Sequence, residues 1–545
     1  MEKKSTHIVE PHIVEEIRLN DHCLGFAEVN NNCWNYSIIS TDPDKDVYTN
    51  EYLAGVLQGM LQGENLIQAS RNNSWNNTYL CSTEHSFPKN LEPSQEELSK
   101  AATVLKRNYS YLYSWLFRYS GTAVAEHIKR LLFRMYGIYA GQKGNHKLTV
   151  TFEELSPARI DQKELQLGYG QAPLTFFDVY FINAQQDLLD AISTSPEIHY
   201  GHHKSDHCSA FIKRTEDDIF WTHNTWSGYL SQTHTLTYLI GDKDSKDFIT
   251  QNTYCQGQFG SNTDFGFNKH GICFNETTHR YSTINPTDSG IWLCWRAAAA
   301  EMFAKDIQDF CRHIMVDNTS TYLNGYMIID AKTEETALLE MSDKTFAFFH
   351  QKKGSEDYTL HEYRTDQDGV LQILEMSKDD YTPDLLAKDY VFGVNYPINY
   401  TVANDLGSRD NRPKRRIQFR NEIHKVIDIE TTKALITYIE KGEPLSIYGR
   451  WDLGHGNAGG YGKVIPDGAT DAKAFSVKAV RELLDSMKFQ PNKDSDKTSF
   501  WMLYGTAKIN GEPFVWSKSE WKETKLDHVP DRLEGEWAKV RLFIE

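Results

Sequence analysis

A cysteine at Cys208 heads the short apolar run His-Cys-Ser-Ala-Phe-Ile-Lys, residues 207–213, and Thr-His-Asn-Thr-Trp follows at 222–226. If the bond between His207 and Cys208 were cut, the α-amine of Cys208 would sit beside its own thiol. An α-amine titrates at about 7.7–8.0, so it can take the thiol proton near neutrality. One residue would then supply both nucleophile and base. The competing reading is structural, because free cysteines are among the most buried residues and one that opens a strand is ordinarily core.

The run 200–207, Tyr-Gly-His-His-Lys-Ser-Asp-His, precedes Cys208. It is polar and contains glycine, and it reads as an exposed, cleavable loop. His202, His203 and His207 lie close to Asp206 and Cys208, but their spacing matches no zinc signature, so no metal is expected. The chain has 8 cysteines, at Cys23, Cys33, Cys81, Cys208, Cys255, Cys273, Cys294 and Cys311, and no CxxC pair. That pattern is neither a zinc site nor a dense disulfide framework.

Helical periodicity predicts amphipathic helices over 51–71, 94–117 and 123–139. Residues 148–152, 176–182, 210–212 and 219–222 are short and rich in β-formers. Residues 261–275 read as a hairpin, 288–314 as a helix, and 326–330, 337–341 and 345–350 as strands. The run 408–420 reads as basic and irregular, and 473–487 as a further helix. Helix and strand signals interleave throughout without a Pro/Gly-rich linker. The expectation is one α+β unit.

The net charge of -17 argues against nucleic acid, whose phosphates need a basic surface. It argues equally against purely electrostatic docking on an anionic membrane. No stretch approaches the length of a membrane span. The first residues lack the apolar core of a secretory signal, so the chain is expected to be cytosolic or to be written without its leader. N-x-S/T triplets at Asn35, Asn72, Asn76, Asn108, Asn275, Asn318 and Asn399 would carry glycans only in a secretory protein.

Several blocks, taken together and in order, resemble the phospholipase B-like family, secreted or lysosomal proteins with the N-terminal nucleophile (Ntn) hydrolase fold. Gly25–Phe26–Ala27 and then 52–72 resemble the family's A-A-G-x-x-E-G…I-x-x-x-x-x-N helix. HCSAFIK followed by THNTW is similar to C-S-A-L-I-K…A-H-N-T-W. Residues 318–330, NTSTYLNGYMIID, resemble N-S-G-T-Y-N-N-Q-W/Y-M-I-V-D. GATDAK at 468–473 and PFVWS at 513–517 resemble G-G-I-D-V-K and P-F-Q-W-S. The family's S-P-R-A-x-I-F-R-R is matched only loosely by 412–420, and no cysteine follows Cys311.

The resemblance implies an αββα sandwich, cut by its own Cys208 into residues 1–207, a pro or cover segment, and 208–545, with both fragments staying associated. It implies that Cys208 is the nucleophile and that Asn324 donates to the oxyanion; otherwise Asn324–Gly325 would read as a turn pair. His223 is expected either to orient the amine or to be a hydrogen-bonded core histidine. Asn224 and Trp226 are expected to line the cleft, and Thr253 to face the nucleophile. Arg415 and Arg416 read as a solvated basic surface. The implied reaction removes acyl chains from glycerophospholipids through a Cys thioester, with no cofactor. Hydrolysis of N-acyl amides is the first alternative, and a non-catalytic lipid binder the second. An ordinary Cys/His protease, with His223 as base, is a third.

Overall fold

The computed structural model describes residues 12–30, 32–82, 92–144, 147–193, 208–263, 265–279, 281, 286–287, 289–365, 371–375, 381–382, 385–408, 414–441, 443, 445–449, 466–486, 498–506, 508, 512–519, 521–525 and 529–541. The loop 200–207, with His202, His203, Asp206 and His207, lies outside them.

Among the described residues most strands form two large sheets. The first runs, edge to edge, β1 (His12–Asn20), β2 (Cys23–Asn30), β3 (Cys33–Ser40), β6 (His234–Gly241), β7 (Lys246–Thr253), β8 (Phe265–Asn268), β9 (Ile272–Thr278), β10 (Asn324–Asp330), β11 (Glu335–Met341), β12 (Thr345–Gln351), β13 (Thr359–Thr365) and β14 (Leu371–Glu375). The second runs β15 (Leu386–Ala387), β16 (Tyr390–Gly393), β4 (Cys208–Arg214), β5 (Ile219–Gly228), β17 (Asp467–Ser476), β18 (Thr498–Tyr504) and β21 (Ala538–Arg541). A small pair, β19 (Phe514–Val515) and β20 (Arg532–Leu533), stands apart.

The helices are α1 (Val47–Ser82), α2 (Gln95–Arg118), α3 (Ala123–Gln142), α4 (Phe176–Ser193), α5 (Leu293–Phe303), α6 (Ile307–Met315), α7 (Tyr400–Asp405), α8 (Lys414–Glu422), α9 (Ile429–Ile436) and α10 (Val477–Ser486). α1, α5 and α6 pack on the first sheet, with α3 behind α1, while α9 and α10 pack on the second. The sheets face one another, β4 and β5 lying over β9 and β16 over β10. The order of layers is therefore helix, sheet, sheet, helix. A side-chain amide spans the gap, Asn275 Nδ2 donating to the Thr222 carbonyl at 3.0 Å. Because both faces of each sheet are covered, central strands are buried on both sides, as the fully buried β6 illustrates.

Several expectations change. Residues 176–182 are not a strand but the start of α4. A buried apolar run carries no period of its own, and the capping decides: the Asp178 amide donates to Thr175 Oγ1 at 3.0 Å, and the Thr175 amide donates to Asp178 Oδ2 at 3.0 Å. Residues 148–152 form no strand. The region 288–314 is two helices, the second capped by Asp306, which accepts from the Asp309 amide. The basic run contains a helix, α8. Lys473 lies in β17 and not at a helix start. Asn35, Asn108, Asn275 and Asn399 are buried, so these four triplets present no acceptor on the folded surface.

Candidate functional site

β4 opens at Cys208, and its register with β5 pairs Cys208 with Thr225, Ser209 with Asn224 and Ala210 with His223. On the far side of β5, β17 pairs Asp471 with Thr225 and Lys473 with His223. Residues paired across adjacent strands share a sheet face. Cys208, Thr225 and Asp471 therefore form one row across three strands, and Ala210, His223 and Lys473 form the next row on the same face. A bulge between Ala469 and Asp471 sets this phase. Without that extra residue, Asp471 and Lys473 would turn to the opposite face.

The charges in these rows are fully buried. Lys473 Nζ lies 2.6 Å from Asp471 Oδ1 and donates to Thr225 Oγ1 at 2.7 Å. Asp471 also accepts from the Thr225 amide at 3.2 Å and from Thr233 Oγ1 at 2.6 Å. Burial pushes the Cys208 thiol well above its ordinary range. The charge of Glu276 adds to the rise, while the Trp226 backbone and the Lys473 cation work against it. The neutral thiol is thereby favoured. His223 is a poor base, since burial and then Lys473 hold its pKa well below the usual value. The Glu276 backbone is the hydrogen-bonding group beside its ring and works against that lowering.

The amide of Cys208 donates to Asn395 Oδ1 at 3.3 Å, and Asn395 Nδ2 donates to the Thr278 carbonyl at 2.8 Å. Thr278 is the register partner of Asn324 on β10. Asn395 therefore bridges the strand of Cys208 to the strand beside Asn324. It adopts a left-handed φ of 67°, which asparagine tolerates better than most residues. Asn324 is fully buried; its Nδ2 makes one long bond, 3.4 Å to the Tyr326 hydroxyl, and its Oδ1 has no partner among the described residues. Such an underused buried amide suits a donor that waits for a ligand. Beside it, a Cβ on Gly325 would press on the His279 ring at 2.9 Å.

Arg415 is buried, not part of a solvated basic surface; Arg416 is half-buried. The Arg415 guanidinium donates to the Cys208 carbonyl, to Ser209 Oγ at 3.1 Å, to the Val394 carbonyl at 2.8 Å and to Asn395 Oδ1 at 3.0 Å. It also lies 4.7 Å from the centre of the Trp226 ring. A planar fork can hold several acceptors at once, and here it fixes the backbone at Cys208.

The structure uses Asn224 and Thr253 differently from expectation. Asn224 accepts from the Ser209 amide at 2.9 Å and donates to the Ile436 and Ile447 carbonyls at 3.1 and 2.8 Å, pinning β4 to the helical layer. The Thr253 hydroxyl donates to Gln258 Oε1 in the turn beyond β7. Sequence reasoning missed Asn395 and gave no role to Asp471 and Lys473, although GATDAK contains both. Among the described residues no group of three His, Cys, Asp or Glu could hold a metal. A cleft of about 370 Å³ lined by Arg214, Asp218, Glu334 and Arg481 lies at the far end of β4 and does not contain Cys208.

A family model described as Phospholipase B matches residues 25–540, which include every residue of this site. The chain belongs to the phospholipase B family. Within that family, a phospholipase B from Crotalus adamanteus is 26% identical over 305 residues, 49% of this chain and 50% of that protein. Phospholipase-B 81 from Drysdalia coronoides is 28% identical over 302 residues, with the same coverage of 49% and 50%. Phospholipase B-like 1 from Rattus norvegicus is 27% identical over 414 residues, 68% of this chain and 65% of its own. The chain thus spans about half the length of the first two relatives it matches. Among the described residues no helix of this phospholipase B family chain is long and apolar enough to cross a membrane.

Proposed function

We propose that this chain is an Ntn hydrolase that cuts its own His207–Cys208 bond and then removes acyl chains from glycerophospholipids through a thioester on Cys208. The observation that carries the reading is the amide of Cys208, buried at a strand head between two sheets and held by Asn395 beside the Asp471–Lys473 pair. The helix, sheet, sheet, helix layering and membership of the phospholipase B family support it further.

In the precursor, Cys208 Sγ attacks the carbonyl carbon of His207. The C–S bond forms, the peptide C–N bond breaks and the nitrogen leaves as an amine carrying a proton. Water then splits the thioester, leaving a carboxylate on His207 and a free amine and thiol on Cys208. In each later turnover the amine takes the thiol proton while sulfur attacks the ester carbonyl, and it passes that proton to the departing alkoxide. Water activated by the same amine releases the fatty acid. Asn324 Nδ2 donates to the tetrahedral oxyanion; a donor of this kind is worth about 10²–10³ in rate. Lys473 favours the thiolate against the cost of burial. The low basicity of His223 speaks against a Cys/His protease, which would have to use it as the base.

Intact masses of the purified protein, fresh and after mildly acidic incubation, test the first step beside a Cys208→Ala control. Two co-eluting chains, the second beginning at Cys208 and absent from the control, are expected. A wild-type chain that stays whole and resists a thiol-directed acyl probe would make it an inert binder. Turnover of N-acyl amides in place of glycerophospholipid esters would move the substrate to the amidase reading.

A further inference from the structure

The backbone leading into Asn324 is held in conformations that it would not adopt alone. Asp317, Ser320 and Tyr322 all have left-handed φ, at 46°, 60° and 47°. L-residues disfavour that region, and they stay there only where surrounding contacts over-determine them. Asp317 is held by the Tyr111 hydroxyl and the Ile291 amide, but at Thr321 and Tyr322 the contacts come from α4, which lies wholly on the N-terminal side of Cys208. Asp190 Oδ2 accepts from the Tyr322 amide at 2.7 Å, and Asp190 Oδ1 accepts from the Tyr281 hydroxyl at 2.6 Å. One helical turn earlier, Asp187 accepts from the Thr321 hydroxyl and from the Leu293 and Cys294 amides at 2.8 and 3.1 Å. Both carboxylates are buried. Their i, i+3 spacing puts them on one helix face, aimed at the segment that ends in Asn324.

We infer that Asp190, supported by Asp187, is a positioning residue for Asn324, so that α4 aims the oxyanion donor from the other side of the proposed cut. This rests on the reading of Asn324 given above. A carboxylate can accept from both Tyr322 N–H and Tyr281 O–H. An amide could keep both contacts, its Oδ1 accepting from Tyr322 and its Nδ2 donating to the Tyr281 hydroxyl oxygen, whereas an alanine offers neither. With alanine, Tyr322 would be released toward ordinary φ, and Asn324, two residues on, would shift with it. The inference also explains what the N-terminal segment does after cleavage: it remains part of the machinery that sets the site's geometry.

The test compares Asp190→Ala, the milder Tyr281→Phe, Asn324→Ala and the Asp190→Ala/Asn324→Ala double variant in the full-length protein. Asp190→Ala is expected to lower kcat for acyl hydrolysis by about 10²-fold with little change in KM, the usual consequence of a misplacement near 1 Å. In the Asn324→Ala background the same change is expected to cost nothing more. Independent, additive losses would overturn the inference. Amide exchange over 317–323 is expected to quicken in Asp190→Ala and, to a smaller degree, in Tyr281→Phe, with the alkylation rate of Cys208 unchanged. Unaltered exchange in that segment would also overturn the clamp. If Asp190→Ala fails to fold, Tyr281→Phe carries both readouts. A wild-type protein that neither cuts itself nor hydrolyses esters would sink the proposed function, while the exchange comparison would still decide the clamp.

Discussion

Burying Asp471 and Lys473 two strands from Cys208 takes two charges out of water, at a cost of several kcal/mol per ion before their attraction is counted. The pair recovers part of that through its 2.6 Å contact and through further hydrogen bonds to Thr225 and Thr233. Lys473→Met would leave the Asp471 carboxylate buried without its cation. That variant is expected to lose about 3–5 kcal/mol of stability in chemical denaturation, and Asp471→Leu/Lys473→Met to lose distinctly less. A double variant as unstable as the single would mean that the two charges do not compensate each other. The same substitution should slow alkylation of Cys208 at neutral pH, because the cation that favours the thiolate is gone.

α1 and α3 cross closely because glycines line both sides of the contact. A Cβ at Gly55 or Gly59 would overlap the carbonyl oxygens of Arg134 or Ile138, and one at Gly137 or Gly141 would overlap those of Tyr52 or Val56. Backbone meets backbone there, and no flexible side chain can give way. Gly59→Ala is expected to cost about 1–3 kcal/mol, the usual price of overpacking, visible as a lower Tm. Gly63→Ala serves as the control, since nothing stands within 4 Å of it and its φ of 69° leaves only backbone strain. An unchanged Tm in Gly59→Ala would show that the helices can move apart freely. This crossing bears on the site because α1 packs on β3, and β3 pairs in parallel with β6, Trp34 opposite His234. The first sheet therefore joins strands from both sides of residue 207.

Buried titratable groups across the molecule set opposing pH dependences. Burial holds His127 and His279 at about 3 and His234 and His270 at about 4, against an ordinary 6.5, and lowers His223 and His313 too. Below pH 6.5 the unfolded chain binds protons that these native histidines refuse, so stability falls as pH drops. Burial raises Asp190 from 3.8 to about 7 and Glu340 from 4.5 to about 8, and raises Asp178 and Asp187. Between their unfolded and folded values the native chain keeps protons that the unfolded chain has released, so stability falls as pH rises. The histidines outnumber the carboxyls below 6.5, and only the carboxyls act just above it. Denaturant midpoints from pH 4.5 to 8.5 should therefore peak at about pH 6–7. A midpoint that climbs steadily to pH 8.5 would show that the buried carboxyls are ionised in the native state.

What the sequence determined is local. The pattern around Cys208 placed a strand head there, the helical periods of α2 and α3 were legible along the chain, and ordered motifs pointed to the family before any contact was known. Tertiary structure decided which face and which environment each residue received. Residues 176–182 read as a strand because an apolar run buried on all sides has no period to betray a helix. Lys473 read as the start of a helix, and only the bulge beside Asp471 turns it toward Cys208. Arg415 read as solvated because charge in an irregular basic run normally is; its acceptors come from 208–209 and 394–395, far along the chain. Asn395 carries no motif that marks it, yet it bridges the two sheets at the candidate site. Periodicity and turn chemistry act over a few residues, and they are written in the sequence. Strand register, burial and the partner of a buried charge depend on segments hundreds of residues apart, and only the packed chain brings those together.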